Sequence, residues 1–164
     1  MRNKIHNASK RILPIFIVFT MLFSFVPVRA EENNEVQREN IALGKSATAS
    51  GYEAGSNFTA DKVIDGKIDR ATDLNKSGSS RWASELNAVK PWIIIDLKEV
   101  KALDEVAIEW ERRNVNSYKI EVSNDNSNWA AVYESTAKNE FREVLNVGSQ
   151  NARYVKITIN DYSP

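Results

Sequence analysis

From residue 40 onward the apolar positions fall in short runs and strict alternations, with no stretch at helical spacing. Tyr118, Ile120 and Val122 alternate with Lys119, Glu121 and Ser123, the period of two expected of a strand with one wet face. Val155, Ile157 and Ile159 alternate in the same way with Tyr154, Lys156, Thr158 and Asn160. Trp92 to Leu97 is a nearly continuous apolar run rich in β-branched residues, which predicts a strand buried on both faces. Val106-Ala107-Ile108-Glu109-Trp110 and Trp129 to Tyr133 predict two more strands, and Ala47 to Ser50, small and β-tolerant, ends at Gly51. Asn124 to Asn128 is a turn by composition, and Thr59 to Val63 predicts a short helix or turn. Regularly spaced short strands without a long amphipathic helix predict an all-β sandwich.

The N-terminal end follows a different logic. Arg2, Lys4, Lys10 and Arg11 form a basic head, Ile12 to Val26 is almost wholly apolar, and Val28-Arg29-Ala30 offers small residues for cleavage. This is the pattern of a secretory signal over residues 1–30. The apolar run is about fifteen residues, short of the roughly twenty that span a bilayer as a helix. Residues 31–39, polar and acidic with Val36 as the one apolar side chain, read as a flexible leader, and 40–164 as the folded domain. The expected location is outside the cell, free or held at its surface.

Removal of residues 1–30 narrows the chemistry. His6, the single histidine, leaves with the signal, and the chain has no cysteine. Cys or Ser–His catalysis, His-ligated zinc and a disulfide framework are thereby excluded. Taking the five basic residues of 1–30 from the chain's 22 leaves 17 against 22 acidic side chains, a net charge of −5. That balance argues against nucleic-acid binding, which needs a basic face. Paired carboxylates can cleave glycosides without histidine, but Glu109 with Glu111, and Glu140 with Glu143, lie in ordinary alternating contexts that single out no catalytic pair.

One cluster carries chemistry suited to a sugar. Pyranose recognition combines an aromatic surface with charged or amide groups that bond hydroxyls in pairs, and arginine's planar fork donates in fixed geometry. Trp110, Glu111, Arg112, Arg113, Asn114 and Asn116 supply these types between two predicted strands; the competing reading is a solvated charged turn. Tyr52 or Phe58, in the loop 52–58, is a candidate aromatic platform, with packing as the favoured competing reading of each, and the loop 85–90 is a further source of contacts. Trp82 and Trp129 read as packing residues, and Arg81 as the partner of an acid nearby.

Several motifs in order now acquire a common reading. Asn40-Ile41-Ala42-Leu43-Gly44-Lys45 with Ala47-Thr48-Ala49-Ser50 resembles the opening of a discoidin domain, also called the coagulation factor V/VIII type C domain. Ala60-Asp61-Lys62-Val63-Ile64-Asp65-Gly66, Ser80-Arg81-Trp82-Ala83-Ser84 and Pro91-Trp92-Ile93-Ile94-Ile95-Asp96-Leu97 are similar to its central motifs. Tyr118 to Asp125, Asn128-Trp129 and Arg153 to Ile157 complete the resemblance, which runs from Asn40 to the last residue. Its nearest branch is the family 32 carbohydrate-binding modules, attached to secreted bacterial glycoside hydrolases that act on host glycans.

The resemblance implies a galactose-binding-like antiparallel jelly-roll β-sandwich that here stops before the family's last strand. It implies a non-catalytic module that binds galactose, N-acetylgalactosamine or N-acetylglucosamine and is covalently linked to a catalytic domain. By family position, Arg112 or Arg113 and Asn116 contact the ligand. It also implies a structural calcium held by the backbone of Lys62, the carboxylate of Asp65, the backbone of Lys67, and Ser80. Residues 67–79 are longer than the usual loop, so Asp69 or Asp73 are alternative ligands, and by residue pattern alone Asp65-Gly66 is also simply a β-turn. The lipid-binding branch closes its ends with cysteines that this chain lacks, which argues against a membrane partner. The alternative function is an adhesion or protein-interaction module without a sugar pocket.

Overall fold

Five strands build the sheet: β1 (Ser46–Ala49), β2 (Trp92–Glu109), β3 (Val115–Ser123), β4 (Ala130–Thr136) and β5 (Arg142–Tyr162). The computed structural model describes residues 38–68, 80–136 and 140–163. The expected signal, the leader up to residue 37, and the alternative ligands Asp69 and Asp73 lie outside the described residues. All pairings are antiparallel and the order is β1-β2-β5-β3-β4, so β5 is inserted between β2 and β3. The fold is all-β, and the helical element is the short 3-10 turn Ala60–Ile64, one residue along from the predicted helix.

The expectation of regularly spaced short strands is corrected at two places. Trp92–Leu97 and Val106–Trp110, read as separate strands, are the two ends of the 18-residue β2, and the alternation around Tyr154 sits inside the 21-residue β5. The charged stretch from Lys98 to Glu105 hides this continuity, because it pairs with β5 through register breaks at Asp96/Lys101 and Leu103/Glu105. Such irregularities bend a strand and let one element serve two parts of a sandwich. At the first, Lys98 adopts φ 73° and its N–H donates to Asp96 Oδ1 at 2.7 Å. Arg153 then grips Asp96 through two contacts, Nε to Oδ1 at 2.8 Å and Nη2 to Oδ2 at 3.0 Å.

The alternation in β3 places Tyr118, Ile120 and Val122 in the core, with Leu97, Leu103, Ile108, Leu145 and Val155 from β2 and β5. Trp92–Leu97 is not buried on both faces as predicted. Ile93 and Leu97 are buried, whereas Trp92 and Ile94 are half-buried on the opposite side. The turn Asn124–Asn128 forms as its composition predicts, with Asp125 Oδ1 accepting from the N–H groups of Ser127 and Asn128 at 2.9 and 2.8 Å.

Candidate functional site

The predicted cluster runs from just after β2 into the start of β3, and the structure divides it. Trp110 belongs to the core edge: its ring packs on Tyr118 at 5.2 Å between centroids, and its indole N–H donates to Glu143 Oε1 at 2.7 Å. Asn114 and Asn116 fasten the start of β3 to the end of β5. Asn114 Nδ2 donates to the Ser163 carbonyl at 2.9 Å, and Asn116 Nδ2 to Asp161 Oδ2 at 3.0 Å and Ser163 Oγ at 3.2 Å. Arg113 rests over the Phe141 ring at 5.0 Å. Arg112 is exposed.

Glu111 turns toward a residue read from the sequence only as the partner of an acid. Arg81 Nε lies 3.3 Å from Glu111 Oε2, and its guanidinium covers the Phe58 ring at 3.7 Å from the centroid. That stacking gives one face of Phe58 to Arg81, as the packing reading of this ring expects, because a guanidinium is flat, cationic and weakly hydrated. Arg81 Nε and Glu111 Oε1 are buried with no hydrogen-bond partner among the described residues. Both atoms are sealed from solvent, so what the pair presents at the surface is the rest of its guanidinium and carboxylate.

Arg81, Glu111, Arg112 and Asn114 lie at one broad depression that also takes in Glu53, Trp82 and Glu85 and runs down to Ile93 and Leu97 of the core. The segment 51–58 reaches it by local pairing: Ala83 N–H donates to the Phe58 carbonyl at 3.2 Å and Glu53 N–H to the Ala83 carbonyl at 2.9 Å. Trp82 is a packing residue, its indole N–H bonded to the Gly51 carbonyl at 2.9 Å. Tyr52, 48% exposed, does not line this depression. Glu53 and Glu85 come from the two loops that the sequence named as sources of contacts, whereas Arg81, read only as the partner of an acid, is the contributor missed, since only the folded pairing of 51–58 with 81–83 places it here.

Three of the four carboxylates weighed for catalysis, Glu109, Glu111 and Glu143, are occupied by other contacts. Glu109 pairs with Arg142 and Glu143 accepts from Tyr118 and Trp110. Glu140 is exposed.

At the proposed metal loop, Asp65 follows the 3-10 turn and its Oδ1 accepts the Lys67 N–H at 2.9 Å, while Ser80 Oγ donates to Oδ2. Burial alone would raise the Asp65 carboxyl, but the Ser80 hydroxyl and the Lys67 N–H outweigh it and hold it below its ordinary range. Gly66 has φ 76°, which keeps the turn tight. Two of the implied ligands are thus in contact across 15 residues of chain. The donor set (one carboxylate, one hydroxyl and carbonyls) is the all-oxygen type that hard cations prefer. No group of three or more acidic residues gathers among the described residues.

Comparison with known proteins agrees with this architecture. The family model of the NedA-like, galactose-binding domain, of the coagulation factor V/VIII type C group, matches residues 62–157. No curated protein sequence matches the chain. Among solved structures, chitosan-binding module 1 of a chitosanase/glucanase from Paenibacillus sp. IK-5 is 32% identical over 74% of this chain and 86% of its own, with a TM-score of 0.63. Chitosan-binding module 2 of the same enzyme, in complex with chitotriose, is 29% identical over 76% and 90%, with a TM-score of 0.65. The Clostridium perfringens module CpGH89CBM32-4, in complex with GlcNAc-α-1,4-galactose, shares the fold at 22% identity over 77% and 81%, with a TM-score of 0.61. A discoidin-like sandwich, matched by a family model over most of the folded region and by binding modules along nearly their whole length, belongs to the coagulation factor V/VIII type C family, as a NedA-like galactose-binding domain.

Proposed function

We propose that this chain is a non-catalytic carbohydrate-binding module that seats a saccharide in the depression between its loops and holds a linked glycoside hydrolase against its substrate. The observation that carries the reading is the charged lining of the depression, where Arg81 pairs with Glu111 beside the exposed Arg112. A sugar hydroxyl is donor and acceptor at once, and so answers both the guanidinium groups and the carboxylates of this lining in a way a purely apolar or purely anionic ligand does not. Glu53 and Glu85 at the same depression add acceptors for further hydroxyl or amino groups. Even a weak contact of this kind is useful, because linkage makes the catalytic encounter intramolecular and raises the local substrate concentration. The secretory signal supports export, where such substrates lie.

The cation belongs to the same proposal. Asp65, Ser80 and the carbonyls of Lys62 and Lys67 would hold calcium, which would lock the loop following the 3-10 turn by neutralising Asp65. The ammonium groups of Lys62 and Lys67 oppose a second cation there, so binding rests on neutral oxygens more than on charge.

Calorimetric titration of the full chain with galactose, N-acetylgalactosamine, N-acetylglucosamine and chitotriose tests the sugar site. The expected result is saturable binding to at least one, weakened tenfold or more by Glu111→Gln and by Arg112→Ala. A chain that melts cooperatively yet binds no sugar on a glycan array overturns this reading and leaves the adhesion module in its place.

A further inference from the structure

The face of the sheet opposite the core carries a second feature that the loop site does not use. Register places Trp92, Thr158, Lys119 and Glu134 in one row across β2, β5, β3 and β4, and Ile94, Lys156 and Glu121 in the next. In the first row the central side chain, Thr158, is small and buried, so its neighbours stand above it as walls. The result is an open trough of about 620 Å³. Lys90 and Trp92 form one wall, Lys119 and Glu134 the other, and Asn160 extends the floor.

The Lys156–Glu121 pair closes one end. Glu121 is only 8% exposed on a face that is otherwise open, and it is held between two ammonium groups, Lys119 Nζ at 2.8 Å and Lys156 Nζ at 3.0 Å. Lys156 Nζ also sits 4.1 Å above the Trp129 ring, so its position is fixed from two sides. Burial opposes ionisation of Glu121, and the two lysines outweigh it. One carboxylate thus orders two cations and neutralises one of them. Each ammonium has three donors and Glu121 uses at most one, which leaves donors available to a ligand in the trough. Cations fixed before binding lose little side-chain freedom when a ligand arrives.

We propose that this trough is a second saccharide site, specific for an acidic sugar. The Trp92 ring offers an apolar wall for the sugar face, Thr158 and Asn160 offer hydroxyl and amide groups to the ring hydroxyls, and Lys90, Lys119 and Lys156 face the carboxylate. Three lysines against two glutamates set the sign of the preference. The volume lies within the range of small-ligand sites, which suits one to three sugar units.

The test is a titration of the full chain, labelled with nitrogen-15, with digalacturonate and with uncharged digalactose of the same linkage. Digalacturonate is expected to bind saturably, to shift the amides of Trp92, Lys119 and Thr158 and the Trp92 indole, and to weaken as ionic strength rises. Digalactose is expected to bind at least tenfold more weakly. Lys90→Glu, at an exposed position outside the strands, is expected to weaken digalacturonate tenfold or more, about 1.4 kcal/mol. Lys119→Gln should act in the same direction. Equal binding of the two sugars, failure to saturate, or shifts centred on Arg81 and Arg112 would each overturn the proposal. The last result would assign the acidic sugar to the loop site; both affinities are read at the trough's own resonances, Trp92, Lys119 and Thr158, so sugar bound at the loop site leaves the comparison intact.

Discussion

Tyr118→Phe isolates the contribution of one buried hydrogen bond. The Tyr118 hydroxyl donates to Glu143 Oε2 at 2.7 Å, and Trp110 Nε1 donates to the other carboxylate oxygen at the same distance. Tyr118 is fully buried and Glu143 is 6% exposed, so water does not replace a lost donor. Burial, followed by the bond to Glu143, pushes the Tyr118 hydroxyl far above its ordinary range and keeps it a donor at every working pH. Phe preserves the ring and its packing on Trp110, so the apolar burial is unchanged and only the donor is removed. A bond to a charged acceptor contributes about 1.5–3 kcal/mol, which sets the expected loss. For a domain of this size that corresponds to a fall in Tm of roughly 5–15 °C. Urea unfolding followed by tryptophan fluorescence and far-UV circular dichroism gives the free energy, and an unchanged m-value confines the effect to the native state. Tyr52→Phe, at an exposed ring, is the control and should change nothing measurable. A loss below about 0.5 kcal/mol for Tyr118→Phe, within the range of ordinary surface substitutions, would refute the reasoning.

Other outcomes follow from the same geometry. Leu97→Ala, at a side chain 1% exposed in the core, should cost about 2–5 kcal/mol in the same urea experiment. Gly66→Ala should cost about 1–2 kcal/mol, because φ 76° is strained for any residue with a Cβ and that Cβ would come 2.9 Å from Leu43 Cδ1; an unchanged melting point would remove the case for a strained turn. The Asp96 carboxyl is held well below its ordinary range first by the Arg153 hydrogen bonds, with burial opposing and the Lys98 N–H assisting. Its folded pKa is lowered, so its contribution is complete above the ordinary carboxylate value near pH 4 and is lost as the pH falls below it. Arg153→Ala should therefore move the acid-unfolding midpoint upward, and an unmoved midpoint would show the pair to be without consequence for stability. Calcium at 100 times its dissociation constant should stabilise the chain by about 2.7 kcal/mol, read as a rise in Tm that Asp65→Asn abolishes.

The parts of the fold legible in the sequence are those with a local cause. Alternation at Tyr118, Ile120 and Val122 and the Asx-type turn at Asp125 are decided by neighbours within a few residues, and both form where the pattern places them. The continuity of β2 was hidden because Lys98, Glu99, Lys101 and Asp104 interrupt the apolar period, while the strand is held there by its distant partner β5. The site was legible in composition and not in geometry. The sequence cluster supplied Glu111 and Arg112, but Asn114 and Asn116 turned out to serve the junction of β3 with β5, since their amides reach Ser163 and Asp161. The arginine facing Glu111 comes from position 81, far along the chain, and no periodicity signals that pairing.

The place of β5 in the sheet has a consequence for how the molecule comes into being. It follows every other described strand in the chain, yet it is the one that joins β2 to β3. Until it is synthesised, β1–β2 and β3–β4 are two unconnected ribbons, each with a bare edge of unpaired backbone. The native topology therefore cannot grow strand by strand from the ribosome. It closes in one late step in which Trp92 must meet Thr158 across the length of the domain, with the chain entropy of that encounter lost before any contact compensates it. Refolding should accordingly take milliseconds to seconds, as in other β-sandwiches built from distant pairings, and a nascent chain halted before Arg142 should hold no stable sheet.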